Sequence, residues 1–189
     1  MLKVTLKDGT IREVEPGTVV LDFVKGLSNS LAKKALAAKM DDKTVDLTAK
    51  IEKDCQLAVL TFEDADGRWA LRHTASHIMA QAIKRLYKDH HVQLAIGPAI
   101  ENGFYYDIDM DKQLPEDDLK DIEKEMNKIV KENLHLERKE LSRADALKFF
   151  EEQGEGYKVE LINDLPADAV ISRYTQGEFT DLCAGPHVL

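Results

Sequence analysis

Two histidines and a cysteine–histidine pair are the side chains of this sequence best suited to chemistry. His73 and His77 stand four residues apart in a stretch that predicts a long helix, so both rings project from one face, with Cβ atoms about 5–6 Å apart. Cys183 and His187 flank a Gly-Pro step that cannot be helical. Imidazole and thiol groups of this kind suit tetrahedral zinc, and they equally suit general-base or nucleophilic catalysis.

The composition limits the class of protein that carries these side chains. At 189 residues the chain is long enough for one or two domains, given a soft prior of ~150 residues for each. Apolar residues make up 43% and charged residues 32%, which is typical of a globular protein.

No apolar run approaches the ~18 residues of a membrane span, and no secretory signal precedes the first strand. Two cysteines cannot build a disulfide framework, so we expect a cytoplasmic protein. The net charge of −9 argues against a general polyanion binder.

The first sixty residues predict a small β-grasp unit, with a hairpin, a helix and then further strands. The turn signal Asp8-Gly9 separates two strand-like stretches, 2–6 and 11–14. Thr18 is expected to cap a helix, and Ser30 to cap a second helix or turn that runs through residues 30–40. Further strands are expected around residues 45–47 and 56–62, before an acidic stretch at 63–67 that predicts a boundary.

The second part opens with a long amphipathic helix from Arg68 to about Lys88, whose apolar side chains recur at steps of three and four residues. Two strands, a helix after Pro115, a strand and a helix capped by Ser142 follow. Residues 157–189, which include Lys158, predict short strands. The fold class is therefore α+β, with the long helix packed on an antiparallel sheet.

Four motifs in this order resemble a known family. They are RHTASHIMAQAIKRL at 72–86, AIGPAIENGFYYD at 95–107, GYKV at 156–159 and DLCAGPHV at 181–188. Together they resemble the editing domain of bacterial threonyl-tRNA synthetases, and the β-grasp unit looks like the TGS domain that precedes it. The resemblance implies a TGS domain at 1–62 and a threonyl/alanyl-tRNA synthetase-type second additional (editing) domain at 63–189, expected to stop short of that domain's end.

The same resemblance implies a proofreading hydrolase that removes serine from tRNA for threonine with an activated water. A pocket shaped for threonine gains only ~1–3 kcal/mol from the methyl group that serine lacks, so mischarged seryl-tRNA has to be destroyed elsewhere. Residues carried over from the family have these expected roles: His73 and Lys158 position water and substrate, Asp181 holds the seryl amino group or hydroxyl, Tyr106 lines the pocket, His77 helps to exclude threonine, and Cys183 and His187 complete the site.

The resemblance also sets expectations about cofactors and partners. Spacing favours zinc held by His73, His77, Cys183 and His187, but four protein ligands would leave no position for a catalytic water, and the threonyl family is thought to edit without metal. We therefore favour no cofactor in this chain, with ATP and zinc confined to the catalytic domain of the parent enzyme. The expected partner is the acceptor end of tRNA, with no membrane, and the parent is expected to dimerise through other domains.

Two alternatives remain open from the sequence. One is a TGS-led RNA-binding or regulatory module whose histidines and cysteine hold a structural zinc ion. The other is a zinc-dependent hydrolase of the alanyl-tRNA editing type. Phosphate contacts in any of these would have to come from local basic clusters, of which the sequence offers Lys84-Arg85 with Lys88 and Lys33-Lys34 with Lys39.

Overall fold

The computed structural model describes all 189 residues and confirms the α+β class. By their internal contacts the residues form two compact units, Met1–Thr74 with Gly185–Leu189, and Ala75–Ala184. The predicted domain boundary at residues 62–63 stays a prediction. None of the helices combines the length and the apolar character that a bilayer crossing requires.

The first unit is built on a five-stranded mixed sheet. Apolar side chains that alternate along the first strand bury Val4 against Val24 of the first helix and Leu57 of the last strand. A tight turn at Gly9, with φ of 82°, joins the first two strands, as its sequence predicts. The elements are β1 (Leu2–Leu6), β2 (Ile11–Val14), β3 (Thr18–Val19), α1 (Val20–Leu27), α2 (Asn29–Lys34), β4 (Ala37–Met40), β5 (Lys43–Val45), β6 (Lys50–Ile51) and β7 (Cys55–Leu60).

The strand order β2-β1-β7-β4-β5 places the longest strand, β7, at the centre, between β1 and β4. β1 pairs in parallel with β7, whereas the other neighbours in this sheet are antiparallel. β3 and β6 form a separate antiparallel pair. A hairpin, a helix and then further strands is the order expected of a β-grasp fold, and that prediction is confirmed.

Two local predictions in this unit are wrong. Residues 37–40 form a strand rather than the second half of a helix, because Ala37 and Ala38 are fully buried and β4 pairs with β7. The helix caps also differ. Ser28 rather than Ser30 accepts the capping hydrogen bond, from Leu31 N–H at 3.3 Å, and the Thr18 hydroxyl donates to Glu15 O instead of capping α1.

The long helix α3 (Ala65–Leu86) carries His73 and His77, and it starts within the acidic stretch, three residues before its predicted beginning. The second unit then contains β8 (Val92–Leu94), β9 (Ala99–Ile100), β10 (Gly103–Phe104), β11 (Ile108–Met110), a 3₁₀ turn at Glu116–Asp118, α4 (Leu119–Glu132), β12 (Leu136–Leu141), α5 (Arg143–Glu152), α6 (Gly156–Asp164), β13 (Ile171–Gln176) and β14 (Phe179–Leu182).

Strands β12, β13 and β14 form an antiparallel sheet in that order, and β8 and β9 pair with β11 and β10 respectively. Ser142 caps helix α5, because its hydroxyl oxygen accepts from Asp145 N–H at 3.1 Å, as its sequence predicts. This cap fixes the start of a helix whose residues Ala146 and Phe150 enter the core.

Residues 156–164 correct the prediction of a strand around Lys158. The run from Tyr157 to Leu161 alternates apolar and polar side chains and so imitates a strand. In the structure it is helix α6, because Val159 and Ile162, three residues apart, pack together on the core formed by α5 and β13. Tertiary burial therefore outweighs the local pattern, and Lys158 projects from a helix.

Candidate functional site

In the first unit two imidazole rings lie against each other. His73 on α3 stacks on His187, with ring centroids 4.3 Å apart and planes inclined by 24°. His73 Nδ1 lies 3.2 Å from the carbonyl oxygen of Pro186. Since a carbonyl oxygen can only accept, Nδ1 carries the proton, and the lone pair of the neutral ring is on Nε2. That nitrogen has the character of a base or of a metal ligand.

In the second unit a lysine, a carboxylate and a phenol form a buried polar network. Lys158 Nζ lies 2.7 Å from Asp181 Oδ1 as an ion pair. The same ammonium group donates to the carbonyl oxygen of Ala95 at 2.7 Å and to Tyr106 Oη at 3.2 Å. The Tyr106 hydroxyl donates in turn to Asp181 Oδ2. A side chain from α6, one from β14 and one from the connection between β10 and β11 are thus held in one geometry by mutual contacts.

The charges of this network are almost fully withdrawn from solvent. Lys158 is 3% exposed and Asp181 is 2% exposed. Burial of an ion costs several kcal/mol even after relaxation, so each charge depends on its partner. Burial and the adjacent Asp181 carboxylate raise the pKa of the Tyr106 hydroxyl far above its ordinary range, so this phenol stays a neutral donor. Buried charges held together at such a cost are concentrated at functional sites.

His77 extends the network along α3. Its Nε2 lies 3.5 Å from Asp181 Oδ2, and the edge of its ring meets the Phe179 ring at a centroid distance of 6.0 Å and an angle of 83°. The imidazole is therefore held on one side by a carboxylate and on another by an apolar ring.

Cys183 follows directly after β14, and its main chain is fixed to β13. Its N–H donates to Ser172 O at 3.0 Å, and its carbonyl oxygen accepts from the Ser172 hydroxyl at 2.5 Å. Gly185 has a φ of 75°, and the Gly185–Pro186 peptide bond is cis. The sequence-predicted role of the Cys183 thiol stays a prediction.

The predicted zinc ligands fall in both compact units. His73 and His187 belong to the first unit, and His77 and Cys183 belong to the second. Imidazole and thiol donors of these types could hold a metal ion. Within the first unit, the Nδ1 contact of His73 with a carbonyl oxygen is also the outer contact expected of a histidine that binds metal through Nε2.

Sequence reasoning missed two polar residues that touch His187. Thr74 Oγ1 lies 3.0 Å from His187 Nδ1, and Asp46 Oδ1 accepts from the main-chain N–H of His187 at 2.6 Å. Thr74 directly follows His73 on a buried turn of the helix, and this position is a weak signal that could have suggested Thr74 as a site residue. Asp46 gives no signal, because 141 residues separate it from its partner.

The basic cluster at the end of α3 is already paired with carboxylates. Lys84 contacts the buried Glu155. Arg85 binds Glu132 with two hydrogen bonds, at 2.6 and 2.8 Å, and also contacts Glu178 at 2.5 Å. Phosphate binding at Lys84 and Arg85 would compete with these pairs, so this part of the helix is a weaker nucleic-acid surface than its sequence suggests.

Comparisons with known proteins agree with the architecture. Residues 2–61 match the TGS domain family. Over 188 residues the chain is 61% identical to the threonine–tRNA ligase of Clostridium acetobutylicum, 58% identical to that of Clostridium kluyveri and 57% identical to that of Clostridium botulinum. Each of these matches covers 100% of this chain and 29% of the relative, so the chain spans less than a third of their length. The chain therefore matches the N-terminal region of threonine–tRNA ligases, with a TGS domain at residues 2–61.

Proposed function

We propose that this chain is the proofreading part of a threonine–tRNA ligase and hydrolyses the ester bond of seryl-tRNA mischarged on the threonine tRNA. The observation that carries the proposal is the buried network of Lys158, Asp181 and Tyr106 in the second unit. A fold gains little stability from such a costly pair. A polar pocket for a small charged substrate is the better account of it.

The chemistry needs discrimination by size and an activated water. Serine is smaller than threonine by one methyl group, so a site that admits serine and has no room for that methyl rejects the correct product. The reacting bond is an activated ester, and a positioned water can attack it without a covalent intermediate. The ester oxygen leaves with the tRNA and serine is released.

The side chains divide the work as follows. Asp181 accepts hydrogen bonds from the seryl ammonium or hydroxyl group. Lys158 and Tyr106 position the substrate by holding the Asp181 carboxylate, and the raised pKa of Tyr106 keeps its hydroxyl protonated at neutral pH. His77, held by Asp181 and Phe179, forms the wall that excludes the methyl group. His73 orients the attacking water as a neutral base through Nε2 and takes up its proton, which then passes to the leaving ribose oxygen.

The proposal includes the partner and the setting. The partner is the acceptor end of a mischarged tRNA, most of whose contacts would lie outside this chain, and the setting is the cytoplasm. Dimerisation of the parent enzyme, its ATP and its catalytic zinc would belong to the remaining two thirds of the relatives' length.

Deacylation of tRNA for threonine, charged either with serine or with threonine, tests the proposal. The chain should release serine faster than threonine. His73→Ala should lower the rate by roughly 10²–10⁴-fold, the usual scale of a positioned base. His135→Ala, at an exposed histidine, is the matched control and should keep the rate. Absence of serine release by the folded chain, or full activity of folded His73→Ala, would contradict the proposal.

Metal analysis separates this mechanism from the two alternatives. Under the proposal, removal of metal by a chelator leaves serine release unchanged. A structural zinc module would contain stoichiometric zinc and show no turnover. A hydrolase of the alanyl type would lose its activity on chelation and would also act on serine attached to the alanine tRNA.

A further inference from the structure

The hydroxyl group of Thr74, which the proposed mechanism does not use, has three polar neighbours within the first unit. Its Oγ1 lies 3.0 Å from the carbonyl oxygen of Ala70, 2.9 Å from the main-chain nitrogen of Val188 and 3.0 Å from His187 Nδ1. Thr74 is 6% exposed. The protein itself therefore supplies the hydrogen-bond partners of this hydroxyl.

Proton counting decides which of these neighbours donates. A hydroxyl has one proton to give and can accept two hydrogen bonds. Ala70 O can only accept, and the N–H of Val188 can only donate. All three contacts are hydrogen bonds only if Thr74 donates to Ala70 O and accepts from Val188 and from a proton on His187 Nδ1.

The opposite assignment leaves one contact unfavourable. If Thr74 donated to His187 Nδ1, its oxygen would face the Ala70 carbonyl oxygen at 3.0 Å with no proton between them. Two buried acceptors in contact cost free energy comparable to a lost hydrogen bond. Donation to the carbonyl one turn earlier is also the usual habit of threonine within a helix.

The main chain and the ring face of His187 are held by other groups. Asp46, which is 8% exposed and directly follows β5, accepts from the His187 N–H at 2.6 Å. A carboxylate acceptor makes this a strong, short hydrogen bond. The ring face stacks on His73 at 4.3 Å. Main chain, ring edge and ring face of His187 are thus each fixed by a different residue.

We propose that Thr74 and Asp46 are positioning residues for His187. Thr74 selects the tautomer that carries its proton on Nδ1, so that the neutral ring has its lone pair on Nε2, and Asp46 holds the main chain that presents the ring. The inference rests on the proposed function in one respect, because it adds His187, acting through Nε2, to the hydrolytic site that the proposed function describes. Through Asp46, the segment that matches the TGS family takes part in hydrolysis, and this role is separate from any contact with RNA.

The tautomer can be measured directly by NMR on the full chain labelled with 15N-histidine, at a pH where the ring is neutral. His187 should show a protonated Nδ1 and an unprotonated Nε2. Thr74→Val, which keeps the shape and removes the hydroxyl, should produce a mixture of tautomers, and Thr74→Ser should restore the parent spectrum. Thr48→Val, at an exposed threonine, is the control. A proton on Nε2 of His187 in the parent chain overturns the inference.

Kinetics test the consequence for hydrolysis. Thr74→Val and Asp46→Ala should lower kcat for serine release by about 10–100-fold, by analogy with the outer hydrogen-bond partners of metal-binding histidines, with a much smaller change in KM. Thr74→Ser and Asp46→Asn keep a hydrogen-bond acceptor and should recover most of the rate. Asp42→Ala, at an exposed residue of the same segment, should behave as the parent chain.

The two tests fail in different ways. If the parent chain releases no serine, the proposed function fails, and the 15N spectrum still decides the tautomer. If the parent chain is active and folded Thr74→Val keeps both its rate and its spectrum, the inference fails alone. Equal losses in Thr74→Val and Thr74→Ser would also overturn it, because the lost element would then be packing rather than the hydroxyl.

Discussion

Removing one charge of the Lys158–Asp181 pair should destabilise the second unit far more than removing both. The two groups are 2.7 Å apart and 3% and 2% exposed. Lys158→Met leaves a buried carboxylate without its cation, and Asp181→Asn leaves a buried ammonium group without its anion. Each single change should lower the free energy of unfolding by about 3–5 kcal/mol.

The double variant Lys158→Met/Asp181→Asn carries no unpaired charge. Asparagine still offers an acceptor to the Tyr106 hydroxyl, and the main loss is the donor to the carbonyl oxygen of Ala95. One unsatisfied buried acceptor costs about 1–3 kcal/mol. The double variant should therefore be more stable than either single variant, although the losses of the two singles sum to about 6–10 kcal/mol.

Urea unfolding of the four proteins, followed by far-ultraviolet circular dichroism, measures this coupling. The exposed residues Lys148 and Asp168 supply a matched cycle, Lys148→Met and Asp168→Asn, whose effects should be small and additive. Additive losses in the Lys158–Asp181 cycle would refute the buried pair. Serine release should be lost in all three variants of the pair, and a fully active double variant would show that the charges serve packing alone.

Acid should weaken the second unit through Glu178, because hydrogen bonds from Arg85 lower the pKa of Glu178 from 4.5 to about 2. Its stabilisation is present above pH 4.5 and is lost as the pH falls toward about 2. The side chain is 57% exposed, so water screens the pair and we expect it to contribute about 1 kcal/mol or less to the free energy of unfolding. Glu178→Gln should make the free energy of unfolding less dependent on pH between 4.5 and about 2. An unchanged pH profile would contradict the assignment. Gly97→Ala should displace Tyr106, because an added Cβ would lie 2.2 Å from a carbon of its ring. We expect a loss of about 1–3 kcal/mol and slower serine release, whereas Gly103→Ala, where nothing lies within 4 Å, is the control and should match the parent chain in both measurements.

Local signals predicted the parts of the fold whose causes are local. The turn at Gly9 needs a positive φ that glycine adopts without strain, and the cap at Ser142 needs only the N–H of Asp145, three residues away. The helical spacing of apolar residues likewise predicted α3 to within about a turn at each end. The prediction for residues 156–164 was wrong because their short alternating pattern is compatible with a strand. Their burial against α5 depends on residues elsewhere in the chain, so the local sequence does not reveal it.

The chain by itself determined which groups are available for chemistry. Spacing along α3 puts His73 and His77 on one face, and the Gly-Pro step sets Cys183 and His187 apart from any helix. What Asp181 contacts was decided by tertiary structure, since the lysine that meets it lies on α6 and the tyrosine lies in the connection between β10 and β11. The same is true of His187, whose partners Thr74 and Asp46 are 113 and 141 residues away. A tautomer or a buried ion pair depends on which atoms surround a group after folding, and only long-range packing brings those atoms together.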